Sequence, residues 1–185
     1  VASLTPGADP IHKVSIIPTA KGALGYTMQM PEEDQYLVSD AELRDRLAVM
    51  LGGRAAEVLV FAETTTGAAN DLERATELAR RMVTEFGMTA ALGPVRYADR
   101  TGTNYLEVSL GLRNNLSPET ATTIDAEIRR LVEEAQDRAT DLLATHRPAL
   151  DKIATTLQEE ESITGDQVRA IVGAASGAAA QGASR

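Results

Sequence analysis

Ser39-Asp40-Ala41-Glu42-Leu43-Arg44-Asp45-Arg46-Leu47-Ala48-Val49-Met50-Leu51-Gly52-Gly53-Arg54-Ala55-Ala56-Glu57-Val58-Leu59-Val60-Phe61 decides the fold class. It opens on a capping box, in which Ser39 accepts from the third helical N–H and Glu42 reaches back to the cap. Leu43, Leu47, Met50 and Leu51 then recur at helical spacing. Gly52-Gly53 invites a stop, yet the apolar periodicity carries on beyond it. Continuation predicts one long helix, with glycines where another helix or backbone comes close. Each glycine costs about 1 kcal/mol against Ala.

Working outward, the downstream sequence is also helical. A threonine run, Thr64-Thr65-Thr66-Gly67, caps a second helix with an apolar stripe of Leu72, Ala75, Ala79, Met82, Val83 and Phe86, and Gly87 stops it. Met88 to Leu116 reads as loop-rich. Ser117-Pro118 starts a long helix, with Ser as cap and Pro in the first helical position. Its expected seam runs from Ala121 through Ile124, Ile128, Leu131 and Ala135 to Leu143, and His146-Arg147-Pro148 breaks it. A further helix carries Leu150, Ile153 and Leu157. Thr164-Gly165-Asp166-Gln167 caps a short one through Val172. The domain is therefore expected over residues 1–172, with 173–185 a disordered Gly/Ala/Ser tail.

Upstream, Val14-Ser15-Ile16-Ile17 is strand-like and ends at Pro18. Leu24, Tyr26, Met28 and Met30 alternate with Gly25, Thr27 and Gln29, as a half-buried strand does. The two should pair as a hairpin that needs helices to pack on. The expected fold is mainly α, with one small β-hairpin near the N-terminus and a C-terminal helical bundle.

Composition narrows the function. Of 185 residues, 43% are hydrophobic but only 3% aromatic, with no Trp, so the core must be aliphatic. The net charge of −9 and the lack of a Lys/Arg cluster argue against nucleic acid as a partner. No cysteine is present, which excludes disulfides, Cys-ligated zinc and thiol nucleophiles. No apolar run approaches the roughly 18 residues of a membrane span. The chain by itself is expected to be soluble, with any membrane contact made by segments outside it.

One acid stands out. Asp71 shares a helix face with Ala75, Leu78 and Met82. A charge on an apolar face needs a partner. The bland reading is an acid that complements the helix N-terminus. The functional reading is a ligand or catalytic carboxylate.

Several segments, in order, resemble the peptidase domain of FtsH-type ATP-dependent zinc metalloproteases. They include Asp9-Pro10-Ile11-His12-Lys13-Val14-Ser15-Ile16-Ile17-Pro18, Ala23-Leu24-Gly25-Tyr26-Thr27-Met28 and Leu51-Gly52-Gly53-Arg54-Ala55-Ala56-Glu57. Thr65-Thr66-Gly67-Ala68-Ala69-Asn70-Asp71-Leu72-Glu73-Arg74-Ala75-Thr76 carries the most specific likeness. The resemblance weakens between Ala98 and Leu116 and ends in the tail. It implies a helical metallopeptidase domain in which Asp71 is the third zinc ligand. In that family the other two ligands and the general base come from a His-Glu-x-x-His helix just upstream of the segment matching Val1. Three protein ligands leave one zinc position open for water, which the metal activates for attack on a peptide carbonyl. No His-Glu-x-x-His occurs here, so the chain alone is predicted to be inactive, with no catalytic residue of its own.

The same resemblance implies a membrane anchor and an ATPase module using ATP and Mg, both outside this chain. It also implies a homo-hexamer acting on unfolded or membrane proteins at the cytoplasmic face of a bacterial inner membrane. Glu57 is a candidate to support a metal ligand, or else an ion-pair partner for Arg54 one turn earlier. Leu24, Gly25, Tyr26, Thr27 and Met28 are candidates to pair an extended substrate, or else pack in a core hairpin. His12 and His146 read as structural or surface residues. The competing reading of the whole chain is a non-catalytic helical module for oligomerisation or partner binding.

Overall fold

The computed structural model describes residues 1–18, 25–29, 37–97 and 116–182. The fold is mainly α, as the periodicity predicts. Helix α1 spans Asp40–Phe61, α2 Ala69–Thr84, α3 Pro118–Thr145, α4 Arg147–Glu160 and α5 Gly165–Gly182. Three short antiparallel strands accompany them: β1 (Ile11–Ser15), β2 (Tyr26–Gln29) and β3 (Ser162–Thr164).

The capping box at the head of α1 is formed. The Ser39 N–H donates to Glu42 Oε2 at 2.7 Å, and the Glu42 N–H donates to Ser39 Oγ at 3.3 Å. The helix runs straight through Gly52-Gly53. A Cβ on Gly52 would lie 3.0 Å from Val1 Cγ2, whereas one on Gly53 would meet nothing. Gly52 thus admits the N-terminal segment against the helix, and Gly53 is a plain interruption that burial on either side carries.

Helices α1, α2 and α3 form the bundle. Its core joins Leu43, Leu47 and Leu51 to Ala75, Ala79, Met82 and Val83 and to Ile124, Ile128 and Leu131. Small residues on α2 let the helices approach, and the aliphatic core fits the scarcity of aromatics. Ala121, expected in the α3 seam, is exposed, and so is Phe86, whose ring lies 5.1 Å from the Arg81 guanidinium. That cation–π contact gives Phe86 a surface role.

The sheet differs from a lone hairpin. Strand β1 is central, in the order β2-β1-β3. Val14 faces Thr27 on one side and Ile163 on the other. Strand β3 went unforeseen because it is short and runs straight into the Thr164–Gln167 capping box, which is itself formed. Ile163 is only 1% exposed and seals a second core with Leu157 and Val168. Strand β1 begins three residues earlier than expected and stops at Ser15. The Ile16 N–H turns to Glu161 O and the Ile17 N–H to Ser15 Oγ, leaving both isoleucines exposed.

Helix α5 corrects a second expectation. It passes Val172 and continues to Gly182. Five alanines in that stretch favour helix even without a core to cover. Sequence reading weighed the missing core and overlooked propensity.

Gly87 ends the α2 segment with φ 64°, and a Cβ there would lie 2.9 Å from Pro94 Cα. Gly87→Ala combines a left-handed backbone with a contact against rigid chain. It is expected to cost about 2 kcal/mol, read as a lower urea midpoint at unchanged slope.

Candidate functional site

Asp71 lies in the first turn of α2. The chain reaches it through a tightly organised connection from α1. Glu57, near the end of α1, accepts from the Thr65 hydroxyl at 2.5 Å and from the Thr65 N–H at 3.2 Å. Thr65 Oγ1 in turn accepts from the Gly67 N–H at 3.2 Å and caps a single 3-10 turn, Thr66–Ala68. That turn feeds directly into α2. Ala75 and Met82, on the face Asp71 begins, are fully buried and fix the helix in place.

Glu57 therefore acts on the loop that delivers Asp71. The Thr65 hydroxyl, and then the Thr65 N–H, hold the Glu57 carboxyl below its usual range. Arg54 adds only a weaker attraction and forms no close ion pair with it among the described residues. The expected surface pair is replaced by a loop clasp.

Asp71 is half-buried, with no hydrogen bond or ion pair to it among the described residues. It lines a cleft of about 810 Å³. The same cleft is lined by the N-terminal turn Val1–Leu4, by Gly25 and by Tyr26, Thr27 and Gln29 of strand β2. The structure thus brings together two features that sequence could only name separately, the lone acid and the strand 45 residues before it in the chain (71 − 26).

Strand β2 is the outer strand of its sheet. The half-buried alternation expected of it is absent, since Tyr26 and Met28 are 37% and 38% exposed and Thr27 is exposed as well. The helices pack on β1 and β3, so β2 projects beyond their cover. This corrects the core-hairpin reading of Tyr26 and Met28. Leu24 lies outside the described residues. Gly25 is dictated by close approach: a Cβ would sit 2.6 Å from the Ser15 carbonyl oxygen.

His12 is exposed on β1, and His146 caps α3, with Nδ1 3.0 Å from Leu142 O. Neither lines the cleft. Among the described residues no three His, Cys, Asp or Glu side chains gather as a metal site. Among the described residues the cleft is lined by two aspartates, Asp9 and Asp71, and by no histidine. Catalytic zinc takes three protein ligands, so these residues fit one corner of a site and do not make one alone.

One arrangement was not anticipated. Asp45 on α1 is buried, accepts from the Gly7 N–H at 2.9 Å and pairs with Arg138 on α3 at 2.5 Å. Its position between Leu43 and Leu47 looks like a solvated helix face, and only the fold reveals that the N-terminal turn covers it.

The family model for peptidase family M41 matches residues 1–171. The chain is 46% identical over 172 residues to the ATP-dependent zinc metalloprotease FtsH of Methylococcus capsulatus, covering 93% of this chain and 27% of that protein. It is 49% identical over 172 residues to the FtsH of Pseudothermotoga lettingae, covering 93% of this chain and 28% of that protein. The FtsH of Thermotoga maritima is 45% identical over 172 residues, again 93% of this chain and 28% of that protein. The chain spans little more than a quarter of the length of these relatives.

Proposed function

The chain belongs to peptidase family M41, and from that premise we propose that it is the proteolytic portion of a membrane-anchored, ATP-dependent zinc endopeptidase. Its substrates in this reading are unfolded or membrane proteins. The intact protein works as a homo-hexamer at the cytoplasmic face of a bacterial inner membrane, with ATP and Mg serving an ATPase module outside this chain. No helix among the described residues is long and apolar enough to cross a membrane.

The observation that carries the proposal is one cleft lined both by Asp71, whose carboxylate has no hydrogen bond or ion pair among the described residues, and by β2, an outer strand of the described sheet. Asp71 would hold zinc through one carboxylate oxygen, and zinc bound there would supply the activation of water for attack on a peptide carbonyl. Among the described residues β2 has no strand beyond it, and main-chain N–H and C=O groups on that edge can align an extended chain without reading its side chains. Gly25 keeps that strand tight against Ser15. Glu57 and Thr65 hold the loop from which Asp71 springs.

Two measurements bear on this reading. The pure chain, incubated with zinc and casein, is expected to release no peptide, because one carboxylate neither holds catalytic zinc nor replaces a general base. Zinc-dependent release by the pure chain would refute that division of the site. In the intact protein, Tyr26→Pro removes a backbone donor from β2. Casein cleavage is expected to fall about tenfold while zinc content stays unchanged. Undiminished cleavage would mean that β2 does not align the substrate.

A further inference from the structure

We propose that the groove between α1 and α2 continues the substrate cleft, and that Arg74 at their junction is a specificity-determining residue favouring a carboxylate on the bound peptide. The proposal rests on the reading of β2 as the strand that aligns an extended chain, and it involves no metal.

The four residues of β2 span roughly 13 Å, so an extended peptide held there runs on over neighbouring surface. A groove of about 490 Å³ is at hand. Its walls are two helical stripes: Arg46 and Met50 on α1, and Asn70, Arg74, Leu78 and Arg81 on α2. Their spacings of three and four put each set on one helix face. Arg46, Met50 and Arg74 line the cleft as well, so the two hollows meet at these side chains.

Charge says what this groove takes. On a chain of net charge −9, its lining holds three arginines, Arg46, Arg74 and Arg81, against two glutamates, Glu73 and Glu77. Asp9 and Asp71 line the cleft but not the groove. Arg81 meets Glu85 at 3.4 Å, and Glu77 meets Arg80 at 3.8 Å. Arg74 has no hydrogen bond or ion pair among the described residues, although Asp71 and Glu77 stand one turn either side of it. Most of the described arginines do pair with an acid. An uncommitted guanidinium where two hollows meet keeps its planar set of donors for an incoming carboxylate. Because Arg74 is exposed, the pair adds a few-fold bias between peptides and not a tight anchor.

The test is peptide binding to the chain, read from its amide NMR spectrum, which needs neither metal nor ATP. The probes are neutral extended peptides of matched length. Each carries a single Glu or Gln, moved along the peptide in turn, with the C-terminus free or amidated. At the favoured position the Glu peptide is expected to bind about three- to fivefold tighter than its Gln partner at low salt. It should shift the amides of Asn70, Arg74 and Leu78 along with those of β2, and the preference should fade at high salt. In Arg74→Gln the ratio should fall to about one, and in Arg74→Glu below it, whereas Arg74→Lys keeps part of it. A preference for the free C-terminus that disappears in Arg74→Gln also supports the proposal, and assigns the carboxylate to the end of the peptide. Equal binding within every pair, or a preference that survives Arg74→Gln, overturns it. Shifts at β2 without a carboxylate preference defeat the role of Arg74 alone. If no peptide shifts β2, the alignment reading falls and this proposal with it.

Discussion

In the intact protein, Asp71→Asn is expected to remove zinc-dependent peptide cleavage while leaving the fold in place. Asparagine matches aspartate in shape, so α2 and its buried residues Ala75, Ala79, Met82 and Val83 are undisturbed. On the proposed reading of Asp71 as a metal ligand, the change replaces a carboxylate oxygen by a neutral amide there. Groups that merely support metal ligands are worth about 10- to 100-fold in affinity, and a direct ligand is worth more. A loss in kcat/KM of at least about a thousandfold is therefore expected. Metal analysis after gel filtration should show zinc lost in parallel. No salt bridge or hydrogen bond to Asp71 is sacrificed among the described residues, so the melting temperature should move little. An enzyme that keeps both zinc and cleavage would show that the third ligand lies elsewhere.

The second large effect concerns stability. Leu47 is fully buried at the meeting of α1, α2 and α3. Leu47→Ala removes its side-chain atoms and leaves a cavity that three packed helices cannot close. A cost of about 3–4 kcal/mol is expected, near the middle of the range for such truncations. For a chain of this size that lowers the melting temperature by roughly 10 °C. Leu37, 91% exposed just before the same helix, is the control. Leu37→Ala should stay within about 0.5 kcal/mol of wild type. Equal effects at the two positions would contradict the assignment of the core.

Much of this fold is written in local signals. Ser39 and Glu42, Ser117 and Pro118, Thr164 and Gln167 each mark a helix start, and each start is found where those residues place it. Helical periodicity outvoted Gly52-Gly53 because burial on both flanks exceeds the propensity cost of two glycines. Signals that depend on distant partners were not legible. Strand β3 exists because β1 offers it an edge, and three residues carry no periodicity of their own. The exposure of Tyr26 and Met28 follows from where α5 lies, which alternation along β2 does not encode. Asp71 could be singled out by its face and its resemblance, but the cleft that gives it a purpose depends on the placement of the N-terminal turn. Asp45 left no signal because its partners, Gly7 and Arg138, are far away in the chain.

The central strand has a consequence for the order in which this protein can be made. Val14 pairs with Ile163, a separation of 149 residues (163 − 14), while its pairing with Thr27 is local. A ribosome delivers the hairpin well before its second neighbour, and contacts of long sequence separation close slowly. Until Ser162–Thr164 emerges, β1 is itself an edge strand, and the β2 wall of the cleft rests on a two-stranded ribbon. Vectorial synthesis thus builds α2 before the strand that backs β1 and, through it, β2. On the proposed reading, the strand that would align a substrate gains its full backing only once Ser162–Thr164 has emerged.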